Sequence, residues 1–232
     1  MTQQRTYVLI PGACHGAWCF DELAATLRAA GHRVLAYTLT GVSERAHLAD
    51  RGVNLRTHID DVVAALTVDA ADEPLVLVGH SYGGMVITGV VDRLWAPERV
   101  VAAVYLDAFV PRDGESCWML TNDEQRQWYS EVDASGFGVP ALPFFDARTS
   151  AHPLASLMQR ITLRADLSAI GERVYVFAAG WEGTPFAPTH RRLADDPAWT
   201  THALPGGHNL MRDCPEHLAS IVGAAGRGDQ RN

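Results

Sequence analysis

A chain of 232 residues, 47% hydrophobic and 20% charged, has the make-up of a folded globular protein with room for one well-buried core, which excludes a disordered or membrane-spanning class. Its net charge of −8 excludes a nucleic-acid backbone or an anionic membrane as partner, because neither would be attracted to it. All 19 basic residues are arginine, so no lysine Schiff base, phosphate-loop lysine or lysine acid/base is possible.

Polar Met1 to Arg5 leads into residues 6–10, a short apolar run that reads as a buried strand. No apolar run has the length of a signal peptide or a membrane span, so the expectation is a cytoplasmic protein. Its four scattered cysteines, Cys14, Cys19, Cys117 and Cys214, then read as reduced packing residues. A Gly-rich turn is followed by a helix over 18–30 that stops at Gly31, a strand over 33–38 and a helix over 57–66. Pro74 precedes Leu75-Val76-Leu77-Val78, a strand buried on both faces, and 84–95 is the helix after it. Further strands are expected over 100–106, 173–178 and 200–204, with a closing helix over 216–225 and a disordered tail from Gly226. No internal repeat is visible.

Strands alternating with amphipathic stretches make this an α/β chain with a mostly parallel sheet of about six strands flanked by helices. Residues 112–166 break the rhythm with Trp118, Trp128, Tyr129, Phe137, Phe144 and Phe145 among prolines. The expectation is a core of 1–111 and 167–232 with a small lid insertion over 112–166, since long segments outside the core pattern are usually functional.

Gly79-His80-Ser81-Tyr82-Gly83 follows a buried strand and opens a helix, which is the context of a nucleophile turn. A strand reversing sharply into a helix strains its corner residue, and glycines must flank it to avoid collision. The helix N-terminus then favours negative charge on an attacked carbonyl oxygen. Ser81 needs a base, and of ten histidines His208 is best placed, in the Gly-rich loop Leu204-Pro205-Gly206-Gly207-His208-Asn209 after the last strand. Two carboxylates stand at strand ends where they could orient it, Asp107 and Glu182. Asp107 is preferred because it directly ends a central apolar strand, where an unpaired carboxylate would be costly. The oxyanion donors expected are the N–H of Tyr82 and, from the loop Pro11-Gly12-Ala13-Cys14-His15-Gly16, that of Ala13. Gly12, His15, Trp118, Trp128 and Trp181 are the expected pocket residues.

The segments Gly12-Ala13-Cys14-His15-Gly16-Ala17-Trp18, Gly79-His80-Ser81-Tyr82-Gly83-Gly84-Met85, 102–111 and Gly207-His208 resemble the plant methylesterase, salicylate-binding and hydroxynitrile-lyase branch of the α/β-hydrolases, and similar bacterial esterases. The resemblance covers most of the core and fades over 112–166. It implies the α/β-hydrolase fold, Ser81 and His208 as nucleophile and base, and Ala13 and Tyr82 as oxyanion donors. Departures are Pro11, where the family usually has histidine, and Trp181, which stands about where the plant enzymes carry their acid. The lyases of the group use a lysine just after the histidine and a threonine in the oxyanion loop; here those places are Asn209 and Gly12. Ester hydrolysis is therefore favoured over cyanohydrin cleavage.

The reading is a serine esterase for a small or medium hydrophobic or aromatic ester, a small-molecule substrate, with no cofactor, no metal, no nucleic-acid or membrane partner, and a monomeric or homodimeric state. Trp181 in place of an acid keeps open a weakly active or ligand-binding homologue, or a thioesterase- or cyclase-like enzyme of secondary metabolism.

Overall fold

β-Branched and leucine-rich runs with residues buried on both faces can only be central strands, and the computed structural model, which describes residues 4–94, 99–164 and 167–227, places them so. In chain order the elements are β1 (Thr6–Ile10), α1 (Asp21–Ala29), β2 (Arg33–Ala36), α2 (Leu55–Asp69), β3 (Leu75–His80), α3 (Gly83–Arg93) and β4 (Val100–Leu106). There follow α4 (Cys117–Leu120), α5 (Asp123–Ser130), β5 (Gly138–Val139), β6 (His152–Pro153) and α6 (Leu154–Met158). The chain then returns through β7 (Glu172–Ala178), α7 (Ala187–Ala194), β8 (Thr200–Leu204), α8 (Leu210–Asp213) and α9 (Pro215–Ala224).

Six strands form one sheet in the order β2-β1-β3-β4-β7-β8, every neighbouring pair parallel. β5 and β6 pair antiparallel in a separate ribbon. Alternation along β3 feeds two cores. Leu75 and Leu77 join Ile59, Val62, Val86 and Val90 of α2 and α3 on one face, while Val76 and Val78 join Leu23, Leu27, Leu218 and Val222 of α1 and α9 on the other. Burying an aliphatic side chain of this kind contributes about 1.5–3 kcal/mol, and β3 has none exposed.

Some bounds differ from the sequence reading for local reasons. The expected helix over 18–30 begins as a 3₁₀ turn at Ala17–Phe20 before α1. α2 starts at Leu55, two residues earlier than expected, because the Asn54 side chain accepts from the Thr57 N–H at 3.1 Å while Thr57 Oγ1 accepts from the Asn54 N–H, a capping box. The expected end of the helix after β3, Trp95, lies outside the described residues. Of the tail expected to be disordered, Gly226 is held, its N–H donating to Glu172 Oε2 at 2.6 Å; residues 228–232 lie outside the described residues.

The strand order reverses direction between β1 and β3, the two strands whose carboxyl ends carry the Gly12 loop and Ser81. Such a switch point leaves a crevice beyond the strand ends, the usual ligand site of an open parallel sheet.

Candidate active site

Close backbone approach builds the turn after β3. A Cβ on Gly83 would lie 2.3 Å from Ile10 O and one on Gly84 2.1 Å from Phe109 O, so only glycine lets α3 pack against β1 and the segment after β4. Ser81 itself sits in the left-handed region at φ 52°. Its N–H donates to Leu106 O at 3.2 Å, and its carbonyl accepts from Gly84 at 3.0 Å and Phe109 at 3.2 Å. These bonds tie the strained corner to the end of β4, where Asp107 is also left-handed at φ 41°. Such strain persists only where the surroundings over-determine it, and it collects at functional sites.

Asp107 is fully buried. Its N–H donates to Val176 O at 2.7 Å, its Oδ1 accepts from the Ala178 N–H at 3.2 Å, and its Oδ2 is 2.7 Å from His208 Nδ1. A carboxylate only accepts, so the hydrogen rides on Nδ1 and His208 Nε2 is left as the basic nitrogen. Glu182 is solvent-exposed, and its side chain has no bond to His208. The strand-end carboxylate on the imidazole is therefore Asp107. His208 is also fixed from behind: His80 Nε2 donates to its carbonyl at 2.9 Å, the Phe186 ring stacks on its imidazole with centroids 5.4 Å apart, and Trp181 leans against it at 4.8 Å.

Ser81 and His208 open into one cavity of about 920 Å³. Gly12, Ala13 and His15 line it from the loop after β1, and Trp181 and Phe186 line it from the segment after β7. Trp128, Leu142, Phe144 and Phe145 cover it from the segment between β4 and β7. Trp118, expected in the pocket, is absent from its lining; it packs half-buried against the main core, on α4, a short helix separate from the α5 that carries Trp128. Phe186 and His80 were not singled out as contacts of the base. An aromatic beside a strand-end loop is the one signal that could have marked Phe186.

Among the described residues, neither the Ala13 nor the Tyr82 N–H has a protein acceptor. His15 Nδ1 donates to Ala13 O at 2.8 Å. Burial pushes the Cys14 thiol up to about 12, and raises that of Cys19, which lines the cavity, so neither is a thiolate near neutral pH. Among the described residues no group of three or more His, Cys, Asp or Glu side chains could hold a metal ion, and no helix is long and apolar enough to cross a membrane.

Three buried histidines around the site, His58, His80 and His152, are held neutral by burial, His58 at about 4 and the other two well below their usual value. Unfolding releases them to titrate near 6.5. The unfolded chain then binds protons that the folded chain refuses, so stability is intact above pH 6.5 and falls as pH drops toward 4, by up to about 1.4 kcal/mol per pH unit for each group. Urea midpoints at pH 7.5 and pH 5 should show that fall; equal midpoints would contradict it.

Residues 7–220 match the model of the alpha/beta hydrolase family. The chain is 39% identical to a carbendazim hydrolyzing esterase of Nocardioides sp., over 95% of this chain and 99% of that one. It is 30% identical to salicylic acid-binding protein 2 of Nicotiana tabacum, over 68% and 63% of the two chains. The fold superposes with a TM-score of 0.79, at 23% identity and over 96% and 99% of the two chains, on an extracellular α/β-hydrolase from a Paenibacillus species described as sharing structural and functional homology with the tobacco protein. With its six parallel strands and the family match along nearly its whole length, the chain belongs to the alpha/beta hydrolase family.

Proposed function

We propose that this protein is a serine esterase that hydrolyses small or medium hydrophobic or aromatic esters through an acyl-enzyme. The observation that carries the reading is the 2.7 Å bond from His208 Nδ1 to the buried Asp107, at the wall of the cavity into which Ser81 opens. In this mechanism Ser81 Oγ forms a bond to the ester carbonyl carbon while its proton passes to His208 Nε2. The carbonyl π electrons move to oxygen, and the N–H groups of Ala13 and Tyr82 hold that oxyanion, with the N-terminus of α3 behind them. Collapse breaks the C–O bond to the alcohol, which leaves with the proton from His208. A water then repeats the sequence on the acyl-Ser81 ester and releases the acid. Asp107 keeps the imidazole in the tautomer this requires.

Segment 112–166 acts as the lid, and its aromatic contribution argues for an aromatic or apolar acyl group. The charged residues lining the cavity are six carboxylates, Asp21, Glu22, Glu124, Glu131, Asp146 and Asp213, against two guanidiniums, Arg148 and Arg212. That balance favours neutral esters and helps expel the anionic acid product. The Nocardioides relative is described as hydrolysing carbendazim, an aromatic methyl carbamate, and this compound belongs with p-nitrophenyl butyrate among the first substrates to try. The reason for a binding protein without turnover, Trp181 in the place of an acid, loses force when the carboxylate comes from β4; Trp181 then serves as cavity wall.

Labelling with a fluorophosphonate tests the reading. One adduct per chain on the peptide carrying Ser81, with p-nitrophenyl butyrate turnover falling in proportion to labelling, is expected. Turnover that survives complete labelling would refute it.

A further inference from the structure

Cys14 directly follows Ala13, is fully buried and lies in the left-handed region at φ 68°. Both of its backbone polar groups are taken by the segment between β4 and β7. The Cys14 N–H donates to His152 Nδ1 at 3.2 Å, and its carbonyl accepts from the Ser150 N–H at 3.1 Å. The same stretch holds Ser43, also left-handed at φ 49°, through Ser43 N–H to Ser150 Oγ at 2.6 Å and Ser43 Oγ to Arg148 O at 2.8 Å. Of the four non-glycine residues at positive φ among those described, Ser81 and Asp107 are tied at the end of β4, and the other two are strapped by residues 148–152.

The tautomers in this strap are set by its partners. An amide N–H can only donate, so His152 Nδ1 is bare and its hydrogen is on Nε2, which donates to Ser156 Oγ at 2.9 Å; that hydroxyl donates on to Pro153 O at 2.7 Å. On the other side, Thr40 O can only accept, so His58 Nε2 donates to it at 2.9 Å and His58 Nδ1 accepts from the Tyr82 hydroxyl at 2.8 Å. The Tyr82 ring stands edge-on to both imidazoles, 4.7 Å from His152 and 5.6 Å from His58. Every ring nitrogen of the two histidines is thus engaged, both residues are fully buried, and neither lines the substrate cavity. Both rings are kept neutral by their burial, which matches the bonds they make.

We propose that His152 and His58 are positioning residues of the oxyanion hole: His152, carried by the lid segment, fixes the Cys14 peptide and with it the Ala13 N–H, while His58 fixes Tyr82, the carrier of the second donor. The proposal rests on the reading of Ala13 and Tyr82 as the donors. It gives the segment 112–166 a second task, because the hole is complete only while residues 148–152 are docked against the loop after β1. Donors aimed at an oxyanion lose most of their effect when displaced by about 1 Å, a loss on the order of 100-fold in rate.

The test compares His152→Leu, which keeps bulk but has no acceptor, with His152→Asn, whose amide oxygen can stand near the Nδ1 position, and with Ser156→Ala, which frees the far side of the ring. With p-nitrophenyl butyrate, His152→Leu should lose about 100-fold in kcat with KM little changed. It should lose the same factor in affinity for an alkyl trifluoromethyl ketone, whose tetrahedral adduct on Ser81 places an oxyanion in the hole. His152→Asn should recover most of both, and Ser156→Ala should fall between. If His152→Leu does not fold, Ser156→Ala carries the comparison against His152→Asn and wild type, and its losses of kcat and ketone affinity must run in parallel; a Ser156→Ala variant with wild-type kcat then overturns the proposal. A folded His152→Leu variant with wild-type kcat, or one whose loss appears in KM alone, overturns the proposal. Wild-type protein without Ser81-dependent turnover would instead sink the esterase reading beneath it, so the two failures are told apart.

Discussion

Replacing Ser81 with alanine should lower kcat for p-nitrophenyl butyrate by about a million-fold while leaving the fold and the cavity in place. The side chain supplies the oxygen that forms the acyl-enzyme bond, and without it neither the acyl transfer nor the attack by water that follows can take place. The turn does not depend on that hydroxyl. Its bonds to Leu106, Gly84 and Phe109 run through the Ser81 backbone N–H and carbonyl, and they survive any side chain. What the side chain costs is strain: a non-glycine residue at φ 52° pays about 1–2 kcal/mol relative to the right-handed region. Ser81→Ala keeps that cost and should unfold at the wild-type urea midpoint. Ser81→Gly removes it, offset in part by the greater freedom of glycine in the unfolded chain, and should be at least as stable as Ser81→Ala and equally inactive. Residual turnover within tenfold of wild type in either variant would rule Ser81 out as the nucleophile. A Ser81→Gly variant clearly less stable than Ser81→Ala would show that the turn is not strained as described.

The parts of the molecule legible in the sequence are those decided within a few residues. β1 and β4 have the bounds expected of them, because a buried parallel strand is a continuous apolar run with turn residues at its ends; β8 also has its expected bounds, although this edge strand buries only Leu204. Ser81 was legible for the same reason, since the glycines that allow its corner are its own neighbours. α7 is not marked in the sequence reading: it is short and polar, and Leu193 is its one buried residue, so too few apolar positions repeat along it to announce a helix. The preference for Asp107 over Glu182 came from the cost of an unpaired carboxylate at the end of a buried strand, and that argument needs no knowledge of the partner. Trp118 and Trp128 could not be separated, because which of two tryptophans faces a cavity depends on how α4 and α5 dock. His58 and His152 carry no mark in the sequence that sets them apart from the other histidines. Their place behind the oxyanion loop depends on contacts of Cys14 with a residue 138 positions away and of Tyr82 with one 24 away, which no local pattern encodes.

Asp107→Asn should lower kcat by about 10⁴-fold with little change in KM, and the reason lies in how many acceptors the site demands. Both carboxylate oxygens are used, Oδ1 by the Ala178 N–H at 3.2 Å and Oδ2 by His208 Nδ1 at 2.7 Å. An amide has one acceptor oxygen. If it faces Ala178, the amide NH₂ points at His208 Nδ1, the imidazole hydrogen moves to Nε2, and the nitrogen that should take the Ser81 proton is already protonated. If it faces His208, two donors meet at Ala178, at a cost of about 1–3 kcal/mol for the unmet buried group. Asparagine is the informative replacement because it is isosteric and tolerates the left-handed backbone that Asp107 adopts at φ 41°, so a loss of rate is not a loss of fold. Asp107→Ala should lose at least as much activity and stability besides, since it strands the Ala178 N–H and empties a fully buried position. Glu182→Gln, in an exposed loop, should stay within about twofold of wild type, as surface changes away from such features usually do. The opposite pattern, an active Asp107→Asn beside an inactive Glu182→Gln, would move the acid to the loop after β7 and leave the Asp107 to His208 bond a structural contact.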